Sequence, residues 1–160
     1  MKASQHLKDL LEQWEGVRQQ AYLDTGSEPT IGIGHLITKS ERASGKIMIA
    51  GNPIKYDQWL SILDCRALLA QDLKVPEKAV SSLVIVPLNQ NQADALMSFI
   101  FNVGAEAFRN STLLRLLNTG KYTDVPEQLR RWKYDNGKIV KGLISRREKE
   151  IALWNEADVT

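Results

Sequence analysis

One cysteine, two histidines and no long apolar run set the first limits on this 160-residue sequence. A lone Cys65 cannot close an internal disulfide, so the fold must stand without oxidation. Its setting, "ILDCRALLA", lacks the basic neighbours of a reactive thiol, and Cys65 reads as a small buried hydrophobe. So few histidines and cysteines leave no metal-ligand spacing, and neither a metal nor another cofactor is expected. Zinc-finger and RNP-like aromatic patterns are also missing, which argues against nucleic acid as a partner. No window approaches the roughly 18 apolar residues that span a bilayer, so stable membrane insertion is not expected. The start, "MKASQHLKDLLEQWEG", lacks the apolar core of about 7–15 residues found in a secretory leader, which implies synthesis in the cytoplasm.

What the sequence does contain is ordinary for a globular chain: 43% hydrophobic and 25% charged residues, enough for one self-supporting monomeric domain. The net charge of +2 hides an asymmetry. Residues 1–108 carry 10 basic and 12 acidic side chains, whereas residues 109–149 carry 11 basic and 4 acidic. A cationic second half attracts polyanions by long-range steering, although a solvated helical face would look the same.

Leu7, Leu10, Leu11 and Trp14 fall at helical spacing, ending at Gly16. The stretch "AYLDTGSEPTIGIGHLIT" combines turn residues with a β-branched, glycine-containing run and reads as a hairpin. A second hairpin is expected in "GKIMIAGNPIKYD", about Gly51 and Asn52. Helical pattern returns from Gln58, with Pro76 bending or interrupting it. Asn89 and Gly104 bracket an apolar helix, and shorter helices are expected at about 111–118, 123–133 and 142–156. The expected fold is α+β: a small antiparallel β lobe (about 18–58), a connecting helix (about 59–81) and a larger helical lobe (1–17 plus 82–160), with a cleft between the lobes.

Glu15 and Asp24 lie on either side of the first turn, and Thr30 follows. Two carboxyl groups suffice to hydrolyse a glycosidic bond, one giving a proton to the leaving oxygen while the other prepares a water. Glu15, beside Trp14 at a helix end, suits the donor, which burial keeps protonated. Asp24, among Thr25, Ser27 and Thr30, suits the ionised partner, and the Thr30 hydroxyl could help hold the water. Gly32 and Gly34 would let a sugar ring or opposing backbone approach closely.

The run "EGVRQQAYLDTGSEPTIGIGH" resembles the active-site segment of the bacteriophage-type lysozymes, glycoside hydrolase family 24: Glu, eight residues, Asp, five residues, Thr, then Ile-Gly-x-Gly-His. The similarity continues through "LLAQDL", "NQADALMSFIFNVG", "FRNSTLLRLLN" and "GLISRREKEIALW". It implies the phage-type lysozyme fold and an endolysin that cuts the β-1,4 bond between N-acetylmuramic acid and N-acetylglucosamine in peptidoglycan, lysing the host. On this resemblance Glu15 is the general acid, Asp24 orients or deprotonates the water and Thr30 helps fix it. The implied mechanism is inverting, with carboxyls about 6.5–9.5 Å apart. Leu36, Phe101 and Ser111 match saccharide contacts, and Arg146, with Arg147 as the one-residue alternative, matches an arginine paired with the catalytic Glu. An endolysin made in the host cytoplasm reaches the wall only after release, for which a holin is implied.

His35 invites a role as proton shuttle, but acid and base are already supplied; it reads as a structural group bonded to a carboxylate, with Asp72 as the expected partner. His6 reads as surface. Residues 40–57 exceed what a minimal β lobe needs, and Glu28 adds a third carboxylate beside Pro29 that reads as solvated. Two other functions fit part of the pattern. A lytic transglycosylase acts on the same bond with one catalytic acid, and a non-catalytic cationic module would bind peptidoglycan without cutting it.

Overall fold

A computed structural model describes residues 1–23 and 29–157. It divides into two compact units: residues 5–74, and residues 1–4 with those from Val75 on.

The first unit opens with helix α1 (Gln5–Glu15), which fully buries Leu7 and Leu11. Strands β1 (Arg18–Leu23), β2 (Pro29–Gly32) and β3 (His35–Leu36) form an antiparallel sheet with β2 in the centre. Its register sets Tyr22 opposite Thr30 and Thr30 opposite Leu36. Helix α2 (Lys39–Ser44) follows, started by a capping box in which Thr38 and Glu41 satisfy each other's backbone N–H. Strands β4 (Lys46–Ile49) and β5 (Asn52–Lys55) make the expected second hairpin. The sequence reading missed α2, whose apolar content is too low to show a helical stripe; its cap is the signal that was available.

Helix α3 (Ile62–Asp72) ends the unit and packs on β2. The single connecting helix expected over 59–81 is instead two, α3 and α4 (Lys74–Leu83), separated at Leu73. Pro76 accounts for the break: it offers no N–H to the carbonyl four residues earlier, and its ring clashes there. The unit boundary also differs from the expected one, since α1 groups with residues 5–74 rather than with the helical lobe. One tie within this unit is a two-pronged ion pair, with Arg66 of α3 donating to both carboxylate oxygens of Glu12 at 3.1 and 2.9 Å.

The second unit is built on α5 (Gln90–Val103), in which every residue from Ala93 to Ile100 is buried. Asn89 and Gln92 form its capping box, and Gly104, with φ of +94°, closes it. Around it lie α6 (Ala105–Arg109), α7 (Thr112–Asn118), a 3₁₀ turn (Tyr122–Asp124), α8 (Val125–Arg130) and α9 (Lys141–Asn155), with α5 packing chiefly on α9. The polar side chains on the buried helix are matched. Asp94 accepts from the Ser4 backbone N–H at 3.1 Å, from the Ser4 hydroxyl and from Gln90 Nε2 at 2.8 Å, fastening the first residues to this unit.

The helix expected to reach residue 133 stops at Arg130, and strands β6 (Tyr134–Asp135) and β7 (Lys138–Ile139) form a hairpin that was not foreseen. Its two-residue turn, Asn136-Gly137, has both residues at positive φ (51° and 75°). Asn-Gly between two β-prone pairs is the favoured sequence for that turn.

Candidate active site

Glu15 is the last residue of α1 and is half-buried. The chain turns immediately after it, with Gly16 at φ +77° and its N–H donating to the Glu12 carbonyl. Gly34, in the tight turn between β2 and β3, faces this carboxyl. A Cβ on Gly34 would sit 3.0 Å from Glu15 Oε2 and 3.1 Å from its Cδ, and the backbone there has φ of +69°. Glycine is therefore required twice over, by conformation and by space. Gly32 serves a different neighbour: a Cβ there would meet Leu68 of α3 at 3.5 Å, so this glycine lets the helix close on the sheet.

Thr30, on the central strand of the same sheet, is 6% exposed. The unit thus holds a carboxyl and a nearly buried hydroxyl, one at a helix end and the other on the sheet whose turn touches that carboxyl. Asp24 and Glu28 lie outside the described residues, as does the distance between the Glu15 and Asp24 carboxyls. Leu36, opposite Thr30, is 51% exposed, an unusual state for leucine on a small sheet.

His35 is engaged on both ring nitrogens. Nδ1 lies 2.8 Å from Asp72 Oδ2, the partner named from the sequence, and Nε2 lies 2.9 Å from Glu41 Oε1, which was not named. Burial by itself would lower the pKa of this imidazole, but the hydrogen bonds and charges of Asp72, then of Glu41, outweigh it and raise the pKa to about 9. His35 is accordingly an imidazolium at neutral pH, joining the end of α3 to the start of α2. Glu41 Oε1 also accepts the Thr38 N–H at 2.9 Å, so one oxygen both caps a helix and holds the ring.

In the second unit, Phe101 is half-buried near the end of α5. Ser111 is the N-cap of α7: its Oγ accepts the Leu114 N–H at 3.1 Å and donates to the Phe108 carbonyl at 2.7 Å. Arg146 and Arg147 meet on Glu150, which is fully buried. Arg146 Nε donates to Glu150 Oε2 at 3.2 Å and its Nη2 to the Ser98 carbonyl at 3.1 Å. Arg147, 1% exposed, donates from Nη1 to Glu150 Oε1 at 2.7 Å, from Nε to the Trp132 carbonyl at 3.0 Å and from Nη2 to Asn102. Burial draws the Arg147 pKa below its usual value against the opposing pull of Glu150. Ser98 Oγ completes the cluster, donating to Glu150 Oε2 at 2.6 Å. Sequence reading attended to the arginines and overlooked the acid three and four residues on, although that spacing places the three on one helix face.

An open cavity of about 420 Å³ in this unit is lined by Thr112, Gln128, Arg131, Trp132 and Tyr134, none of them singled out from the sequence. Trp132 is set by the arginine cluster beneath it, through its carbonyl, and by edge-on contact with Phe99, with centroids 5.2 Å apart at 79°. Among the described residues no three His, Cys, Asp or Glu side chains gather as ligands of a metal would.

A family model described as phage lysozyme matches residues 12–150. The endolysin of Salmonella phage P22 is 42% identical over 144 residues, spanning 90% of this chain and 91% of the relative. The SAR-endolysin of Escherichia phage Mu is 38% identical over 141 residues, spanning 88% and 74%. Among solved structures, a P22 lysozyme mutant superposes with a TM-score of 0.77 at 38% identity, covering 98% of this chain and 99% of that one. The muramidase domain of SpmX from Asticaccaulis excentricus gives 0.78 at 34% identity with the same coverage. Fold, motif and relatives agree along nearly the whole sequence, and the chain belongs to the phage lysozyme family.

Proposed function

We propose that Glu15, Asp24 and Thr30 carry out the peptidoglycan hydrolysis to which family membership assigns this chain, cutting the β-1,4 bond between N-acetylmuramic acid and N-acetylglucosamine with inversion. The observation that supports this reading most directly is the seating of Glu15: a half-buried carboxyl at a helix end, against a glycine turn that leaves it room, in the unit that also carries Thr30. Glu15 protonates the leaving oxygen as the bond to the anomeric carbon breaks. Asp24 takes the proton from a water attacking the opposite face, and the Thr30 hydroxyl holds that water in line. Leu36 offers an apolar surface to a sugar ring, with Phe101 and Ser111 as further saccharide contacts. Arg146 and Arg147 act through Glu150 as a positioning cluster.

The deciding experiment is mass spectrometry of muropeptides released from purified peptidoglycan. A hydrolase yields reducing ends at N-acetylmuramic acid, and Glu15→Gln lowers the rate by about two to four decades while the protein stays folded. Anhydro-muramyl products would instead identify a transglycosylase. Undiminished function of Glu15→Gln would identify a binding module.

No helix among the described residues is long and apolar enough to cross a membrane. Access to the wall is then through a holin-type lesion after cytoplasmic synthesis, and the working form is a monomer. Lysis by this chain expressed without any lesion-forming partner would contradict that route, and sedimentation as a stable oligomer would contradict the monomer.

A further inference from the structure

The cavity on the helical unit has a charge that a neutral glycan does not answer. Of its five lining residues, Arg131 alone is charged. Among the described residues its guanidinium has no carboxylate partner, whereas the adjacent Arg130 is held by Glu148 at 2.8 Å and Glu127 at 3.3 Å. Beside it Gln128 is 8% exposed, and its side-chain amide makes no hydrogen bond to a described residue. An amide so deeply placed is costly if left unmet, so its partner is expected from a bound molecule. The remaining wall is aromatic and hydroxylic: Trp132, Tyr134 and Thr112. The complementary ligand has an amide to exchange hydrogen bonds with Gln128, a flat or apolar portion for the rings and a carboxylate for the planar guanidinium fork.

This argument rests on the reading of peptidoglycan as substrate. In intact peptidoglycan the lactyl carboxyl of N-acetylmuramic acid is consumed in an amide to the stem peptide, which leaves the glycan strand uncharged. Carboxylates reside on the stem peptides, next to peptide amides. A bare sugar would satisfy the rings and Gln128 but would leave the cation unanswered. We propose that Arg131 is a specificity-determining residue that selects stem peptides by an ionised carboxylate, with Gln128 pairing the neighbouring amide, so that amidation of that carboxylate weakens recognition.

The test compares two soluble probes that differ at one group: N-acetylmuramyl-L-alanyl-D-glutamate and its α-amide, N-acetylmuramyl-L-alanyl-D-isoglutamine. Binding at low ionic strength is read from the Trp132 indole N–H resonance. Wild type should bind the free acid about five- to twenty-fold more tightly, the span of one partly screened charge-assisted contact. Arg131→Gln should bind both probes equally, and Arg131→Lys should keep part of the preference through charge without the fork. Arg131 is exposed, so these variants should fold as wild type does. Equal affinity of wild type for the two probes, or a preference that survives in Arg131→Gln, overturns the proposal. So does displacement of the free acid by glycerol phosphate at equal concentration, which would mark a general anion site. Release of muropeptides by wild type is scored separately: cleavage without a probe preference removes only this inference, and absence of cleavage removes the reading beneath it.

Discussion

Taking the proton off His35 should loosen the β-containing unit in alkaline solution. The ring is 10% exposed and sits between Asp72 and Glu41, and its pKa stands at about 9 in the folded protein against an ordinary 6.5. Because the folded value is the higher, the stabilisation is fully present below about 6.5 and is lost as the pH rises through 9. A difference of 2.5 units at about 1.36 kcal/mol each gives roughly 3 kcal/mol at most. For a chain of this size that corresponds to about 6–12 °C in Tm. Urea unfolding of wild type and His35→Gln between pH 5.5 and 10 isolates this one group, since other alkaline titrations occur in both proteins. The wild-type advantage should shrink across pH 6.5–9 and level off above it. A His35 resonance titrating with a midpoint near 6.5, or parallel pH profiles for the two proteins, would refute the reasoning.

Three further outcomes follow from the same geometry. Gly34→Ala should cost about 1–2 kcal/mol for a non-glycine residue at positive φ. It should also depress peptidoglycan hydrolysis more than that loss explains, because the new methyl group meets the Glu15 carboxyl; chemical denaturation and a turbidity assay on cell walls separate the two effects. Glu150→Ala should destabilise by about 3–5 kcal/mol by stranding the buried Arg147, whereas Glu148→Ala, which releases only the exposed Arg130, should leave the unfolding midpoint nearly unchanged. Asn89→Ala should cost about 1 kcal/mol by removing the cap of α5, measurable by thermal unfolding without change in activity.

Much of the architecture was legible because its signals are local. Asn89 and Gly104 bracket α5 where capping chemistry says they should, and Gly51-Asn52 marks the turn of the β4–β5 hairpin. Where such signals were passed over, as at Thr38 and Glu41 or at Asn136-Gly137, the structure shows a short element that hydrophobic periodicity is too coarse to register. The break at Leu73 lies between these cases: Pro76 was noticed, but whether it bends or ends a helix depends on what packs around it.

By itself the sequence determined the element types, the lone cysteine's silence, the cationic second half and the Glu15, Asp24, Thr30 spacing, all properties of residues close along the chain. Tertiary structure alone decided which groups meet from afar. Asp72 and Glu41 converge on His35 from 37 and 6 residues away, and Ser98 reaches Glu150 across 52. The cavity of Gln128, Arg131 and Trp132 likewise exists only once α7, α8 and the β6–β7 hairpin have packed. A carboxylate's charge state, an arginine's partner and a pocket's shape are set by the dielectric and the neighbours that folding supplies, and no pattern of nearby residues encodes those.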